Sequence, residues 1–201
     1  MTLSEFITAS KDVIVGLSAL FAVVFAYKGL TAWRKELKGT TEYRLAKEVL
    51  KSAYRVQRSI NHVRVFVIFQ DEYPIEMLDY NGNLKKEYYY EGTKYVYQKR
   101  CEVMTEAFNV LEEHFLDALV EFGIENQNVI EKLRSCKAEI IIAIDQKLAQ
   151  LKNPSDYVQL NTEDQSILSY RGVNDKDNKF TLQINDSILE FDKWLKRYIK
   201  P

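Results

Sequence analysis

The residues of this chain best suited to chemistry lie in YRVQRSINH, residues 54–62, which holds Arg55, Arg58 and one of only two histidines. Cutting RNA without a metal needs a proton acceptor near neutral pH and a cation facing the phosphate as negative charge builds on it. Histidine and arginine are those types. Arg55 and His62 are seven positions apart, nearly two helical turns, so both would leave one face about 10 Å apart along the axis. Arg58 stands one turn from His62. One histidine cannot be both base and acid, so two copies would have to meet across a dimer. The same residues also fit a solvated basic face, because Arg44, Lys47, Lys51, Arg55, Arg58 and His62 step by threes and fours. Neither His62 nor His114 has a carboxylate three residues before it, and no H-E-x-x-H or Cys/His zinc spacing occurs. No metal and no cofactor is expected.

The element that must carry this stripe is a helix over residues 41–69, whose other face is the apolar seam Leu45, Val49, Ala53, Val56, Ile60, Val63 and Val67. An irregular insertion follows over 71–92, with Asn81-Gly82 as a hairpin turn. A third helix is expected over 93–122, ended by Gly123. A fourth would start from a capping box of Asn128 with Glu131 and stop before Pro154. Thr162 with Gln165 marks a short fifth, residues 180–184 are ambiguous after the polar loop at 174–179, and a last helix covers 186–199. With only seven glycines and three prolines in 201 residues, long helices are the natural reading.

Net charge is −1, but its distribution is uneven. Residues 28–64 hold ten Lys/Arg against three Glu, a net of +7, whereas residues 65–201 hold 17 basic against 24 acidic, a net of −7. The acidic excess includes one side of the third helix, Glu102, Glu106, Glu113, Asp117 and Glu121, which could face the basic stripe or stand in solvent. Tyr88, Tyr89, Tyr90, Tyr95 and Tyr97, among Lys85, Lys86, Lys94, Lys99 and Arg100, have the composition of an RNA-stacking surface, or of rings packed on the bundle. Cys101 and Cys136 stand apart without a CxxC pattern and read as reduced core residues.

Ahead of the basic block, residues 13–27 form fifteen residues without a charge. As helix they span about 22 Å, and extending to Trp33 gives about 32 Å, enough for a hydrocarbon core of about 30 Å. A buried core helix and a cleaved signal peptide are the competing readings. The segment before the run carries Glu5, Lys11 and Asp12, whereas the basic cluster follows it in WRKELK. By the positive-inside rule this is an uncleaved anchor with its C-terminal body in the cytoplasm. Ser18, Ala22 and Ala26 recur every four residues beside Gly16 and Ala19, a spacing that lets membrane helices self-associate. The fold class expected is all-α, with an anchor over 1–33 and a cytosolic antiparallel helical bundle over 34–201.

A short N-terminal span, a basic helix with its R-x6-H pair, and a helical cytosolic body together resemble the small HEPN-like membrane accessory proteins of type VI-B CRISPR loci. The resemblance is one of plan across the whole chain, and R-x6-H is its one motif. It implies a homo-oligomeric pore in the bacterial inner membrane, functionally linked to an RNA-guided, RNA-cleaving effector. It makes Arg55 and His62 the HEPN-like pair. The reading adopted is a membrane-anchored oligomer that permeabilises the membrane, its basic helix near the pore mouth and its nuclease-like pair inactive or repurposed. Two alternatives stand beside it: a membrane-tethered, metal-independent ribonuclease, and a passive scaffold that binds RNA or anionic lipid through the Arg44–His62 stripe.

Overall fold

The computed structural model describes residues 3–153, 162–172, 175 and 177–199, and divides into two compact units, Met1–Arg44 and Leu45–Pro201. Among the described residues there are five α-helices: α1 (Leu3–Val63), α2 (Tyr89–Phe122), α3 (Glu131–Lys152), α4 (Thr162–Ile167) and α5 (Lys179–Ile199). No strand occurs among the described residues; two isolated bridges are the only β pairing.

The first unit contains residues 3–44 of α1 and is helical throughout. No proline interrupts it, and each described side chain from residue 15 to residue 40 is exposed. This helix is long and apolar enough to cross a membrane.

In the second unit, residues 45–63 of α1 close a core with α2, α3 and α5. Ala46, Val49, Ala53, Val56, Ile60 and Val63 supply the α1 seam, all fully buried. On α5, Phe180, Ile184, Ile188, Phe191 and Leu195 step by four, four, three and four onto the same core. At one end of the core Trp194 meets Phe115 edge-on at 5.6 Å, and Phe122 stacks on Tyr198 at 3.9 Å. Gln57 donates to Asn185 at 2.8 Å, fixing α1 against α5. Cys136 is buried and Cys101 half-buried, both free, and burial pushes the Cys136 thiol up to about 12.

Several expected boundaries shift. α1 ends at Val63 rather than at residue 69. Beyond it the backbone is claimed by tertiary partners: Tyr170 N–H donates to the Arg64 carbonyl at 3.1 Å, and the carbonyls of Val65 and Val67 accept from Arg100 at 2.7 and 2.9 Å. Val67 is consequently 54% exposed and leaves the seam. The capping box at Asn128 does not form; residues Ile124–Val129 are a 3-10 turn, and α3 starts after Ile130 without a side-chain cap. α5 starts at Lys179, earlier than expected, where the Asn178 side chain accepts from Thr181 N–H at 3.0 Å and satisfies one free donor of the first turn. Gly123 does end α2, at φ 91°, and α3 stops at Lys152. The Asn81-Gly82 turn is present: Asp79 Oδ1 accepts from Asn81 and Asn83 N–H at 2.9 and 2.8 Å, with Gly82 at φ 81°. Its flanks make one bridge, Leu78 to Leu84, instead of a two-stranded ribbon. Pro154 and parts of the loop over 174–179 lie outside the described residues.

Candidate membrane segment and basic face

The α1 seam turns Val49, Ala53, Val56 and Ile60 inward, with Ser52 and Ser59 buried beside them, and the charged positions of this stretch point out. Lys47, Lys51, Arg55, Arg58 and His62 are exposed accordingly, as is Arg44 in the first unit. The basic face of the second unit is therefore real as a surface. No hydrogen bond or ion pair to a side chain of the described residues involves Arg55 or Arg58. The charge of His62 reaches Glu72, where it helps to lower the carboxyl. No second histidine joins it: His114, on α2, is half-buried with Nδ1 lacking a hydrogen-bond partner. The chain thus brings Arg55, Arg58 and His62 onto one exposed face without assembling, among the described residues, an acid and a base around a phosphate. Among the described residues, no group of three His, Cys, Asp or Glu is placed to hold a metal ion.

Two arginines turn out to be inside. Arg100, grouped with the tyrosines as a surface cation, is 2% exposed. It grips both oxygens of Glu72 at 2.6 Å and holds the Val65 and Val67 carbonyls. Burial pushes the Glu72 carboxyl up, but the Arg100 and Phe69 N–H bonds and the nearby positive charge outweigh it, leaving the group below its usual value. Arg64 is fully buried. Its Nε donates to the Ile167 carbonyl at 2.6 Å and Nη1 to Thr181 at 3.0 Å, while Asp175 lies 3.6 Å from Nη2. Its guanidinium also sits over the rings of Phe180 and Tyr170 at 4.9 and 5.5 Å. Burial pulls Arg64 down to about 10, so it stays charged at neutral pH. A usable signal was present for both. Arg64 is four residues past Ile60, continuing the seam spacing just beyond the end of α1, and Arg100 lies four before Met104, on a core position of α2.

The tyrosine cluster divides. Tyr97 is buried and accepts a hydrogen bond from Lys147 at 2.7 Å, whereas Tyr89 and Tyr95 are exposed. On the acidic side, Glu102 pairs with Lys99 at 2.7 Å within its own helix.

In the first unit, Leu20, Phe21, Val23 and Phe25 are 65, 62, 66 and 71% exposed. The small residues Gly16, Ser18, Ala22 and Ala26 are exposed as well, and a Cβ built on Gly16 would meet nothing within 4 Å. Thr31 donates its hydroxyl to the Lys28 carbonyl at 2.9 Å, so it asks nothing of its surroundings. Ala19 falls among residues whose side chains are not described.

The chain matches no family model, no curated protein and no solved structure.

Proposed function

We propose that the chain is a single-span membrane protein that self-associates through its small-residue face and, once assembled, permeabilises the bilayer. The observation that carries this reading is the apolar part of α1, whose large side chains from Val15 to Trp33 stand exposed with nothing of their own to cover them. Each such side chain costs about 1.5–3 kcal/mol to leave in water, and soluble monomers do not carry a continuous patch of this kind. Lipid removes that cost, and a helix satisfies its own backbone there.

Orientation follows from Arg34, Lys35 and Lys38, which come directly after the span and favour a cytoplasmic body. Gly16, Ser18, Ala22 and Ala26 offer a face on which two helices approach closely. Between residues 15 and 27 the one aliphatic hydroxyl is Ser18. A conducting path would open by wetting an apolar constriction rather than along a polar lumen. The tie to an RNA-guided, RNA-cleaving effector follows from the resemblance alone and would show as effector-dependent depolarisation of cells.

Purified protein reconstituted into dye-loaded liposomes should release dye in proportion to protein loading. Release should fall strongly in Gly16→Leu/Ala22→Leu and persist in His62→Ala. Sealed vesicles at high loading would overturn the permeation reading.

A further inference from the structure

Within the second unit, the segment that leaves α1 and the segment that follows α4 line a cleft of about 550 Å³ facing α3. That volume is in the range of small-molecule sites, about 300–1,000 Å³. Its walls are mainly apolar, from Val65, Phe66, Val67, Leu168 and the ring of Tyr170. Phe66 and Val67 are 70 and 54% exposed although they line a concavity.

Among the described residues of the lining, the charged groups are of one sign: Lys147 and Arg171 are cations, and Gln165 and Ser169 add neutral hydrogen-bonding groups. Lys147 reaches the Tyr97 hydroxyl at 2.7 Å and lies 5.4 Å from the centre of the Phe66 ring. It has spent one donor on a neutral oxygen and retains two. Arg171 is exposed and has no hydrogen bond or ion pair through its side chain among the described residues. In a chain with one more acid than base overall, two cations on the described lining of one mainly apolar cleft favour an anionic group.

The floor is rigid where it matters. Tyr170 is backed on one face by the buried Arg64 guanidinium and is fixed at the backbone by its N–H bond to the Arg64 carbonyl. Arg100 holds the adjoining segment through the Val65 and Val67 carbonyls, and Val65 is bridged to Tyr170. The two buried arginines therefore fix neighbouring parts of the lining, which is the preorganisation a binding site requires.

We propose that this cleft binds a small amphipathic carboxylate: an apolar body against Phe66, Val67, Leu168 and Tyr170, and its anionic head between Lys147 and Arg171. A neutral molecule of the same shape would leave both cations unanswered, and an inorganic anion would leave the apolar walls wet. This site is independent of the permeation reading, which rests on the first unit.

The test uses full-length protein in lipid nanodiscs and a diazirine-bearing octanoate as a photoreactive probe, with the labelled peptides mapped by mass spectrometry. Labelling should concentrate on residues 65–67 and 165–171. It should be competed by octanoate at least tenfold better than by octanol, and should fall about tenfold or more in Lys147→Gln and in Arg171→Gln. Arg171 is exposed, so its variant should keep the wild-type circular dichroism and report on the head contact alone. Labelling confined to the lipid-facing residues 15–33, or equal competition by octanol, or undiminished labelling of folded Arg171→Gln, would overturn the proposal.

Discussion

Arg100 joins four oxygen atoms that belong to three different residues outside its helix: two on Glu72 and one carbonyl each on Val65 and Val67. Removing one partner of a buried, hydrogen-bonded pair strands the other, at a cost of about 3–5 kcal/mol. Arg100→Ala should therefore lower bundle stability by about that much in urea denaturation. Arg100→Lys should rescue little, because an ammonium cannot reproduce the planar fork. The pair also sets an acid limit. Glu72 has its carboxyl lowered in the folded protein, so its contribution is complete above the unfolded carboxyl value, about 4.3, and is lost as pH falls through the lower folded value. Glu72→Gln should flatten the acid limb of stability against pH; an unchanged limb would mean the clamp does not hold in solution. Arg64→Ala leaves the buried Asp175 and Thr181 side chains without their cation and should cost a similar amount, about 3–5 kcal/mol.

At the scale of elements, how much the sequence reveals depends on what fixes each boundary. The α1 seam was legible because every third or fourth residue from Val49 to Val63 is apolar, and Gly123 marked the end of α2 because a positive φ suits glycine. The end of α1 was not legible. Nothing local stops a helix at Val63; Arg100, from another element, takes the carbonyls that would have continued it. The start of α5 was hidden for a different reason: its cap is Asn178, in a polar loop, and Phe180 and Ile184 extend the seam of Ile188 and Phe191 back to it. The exposed face of Arg55, Arg58 and His62 was readable as a face, whereas a second histidine beside His62 is something the described residues do not supply. For the N-terminal segment, a lysine at the centre of a span costs about 2.5–3.5 kcal/mol. Leu20→Lys/Val23→Lys should therefore move a large share of the protein out of the membrane fraction in cell fractionation, with retention like wild type arguing that this stretch is not in lipid.

For the whole molecule, the two units differ in what they bury. Among its described residues, the second unit buries a continuous core of 25 drawn from every long helix and from the segments between them. The first leaves its described large apolar side chains from Val15 to Leu37 exposed, which soluble monomers rarely do. The proposed arrangement, with residues 13–33 in lipid and the basic segment on the cytoplasmic side, accounts for both that apolar face and the basic residues that follow it. The most direct measurement is to lyse cells expressing the full-length chain and wash the membranes with carbonate and with high salt before any detergent. Retention in the washed pellet with release only by detergent is the result expected. Recovery of the intact chain in the aqueous fraction would contradict a permanent membrane helix, and with it the proposed permeation.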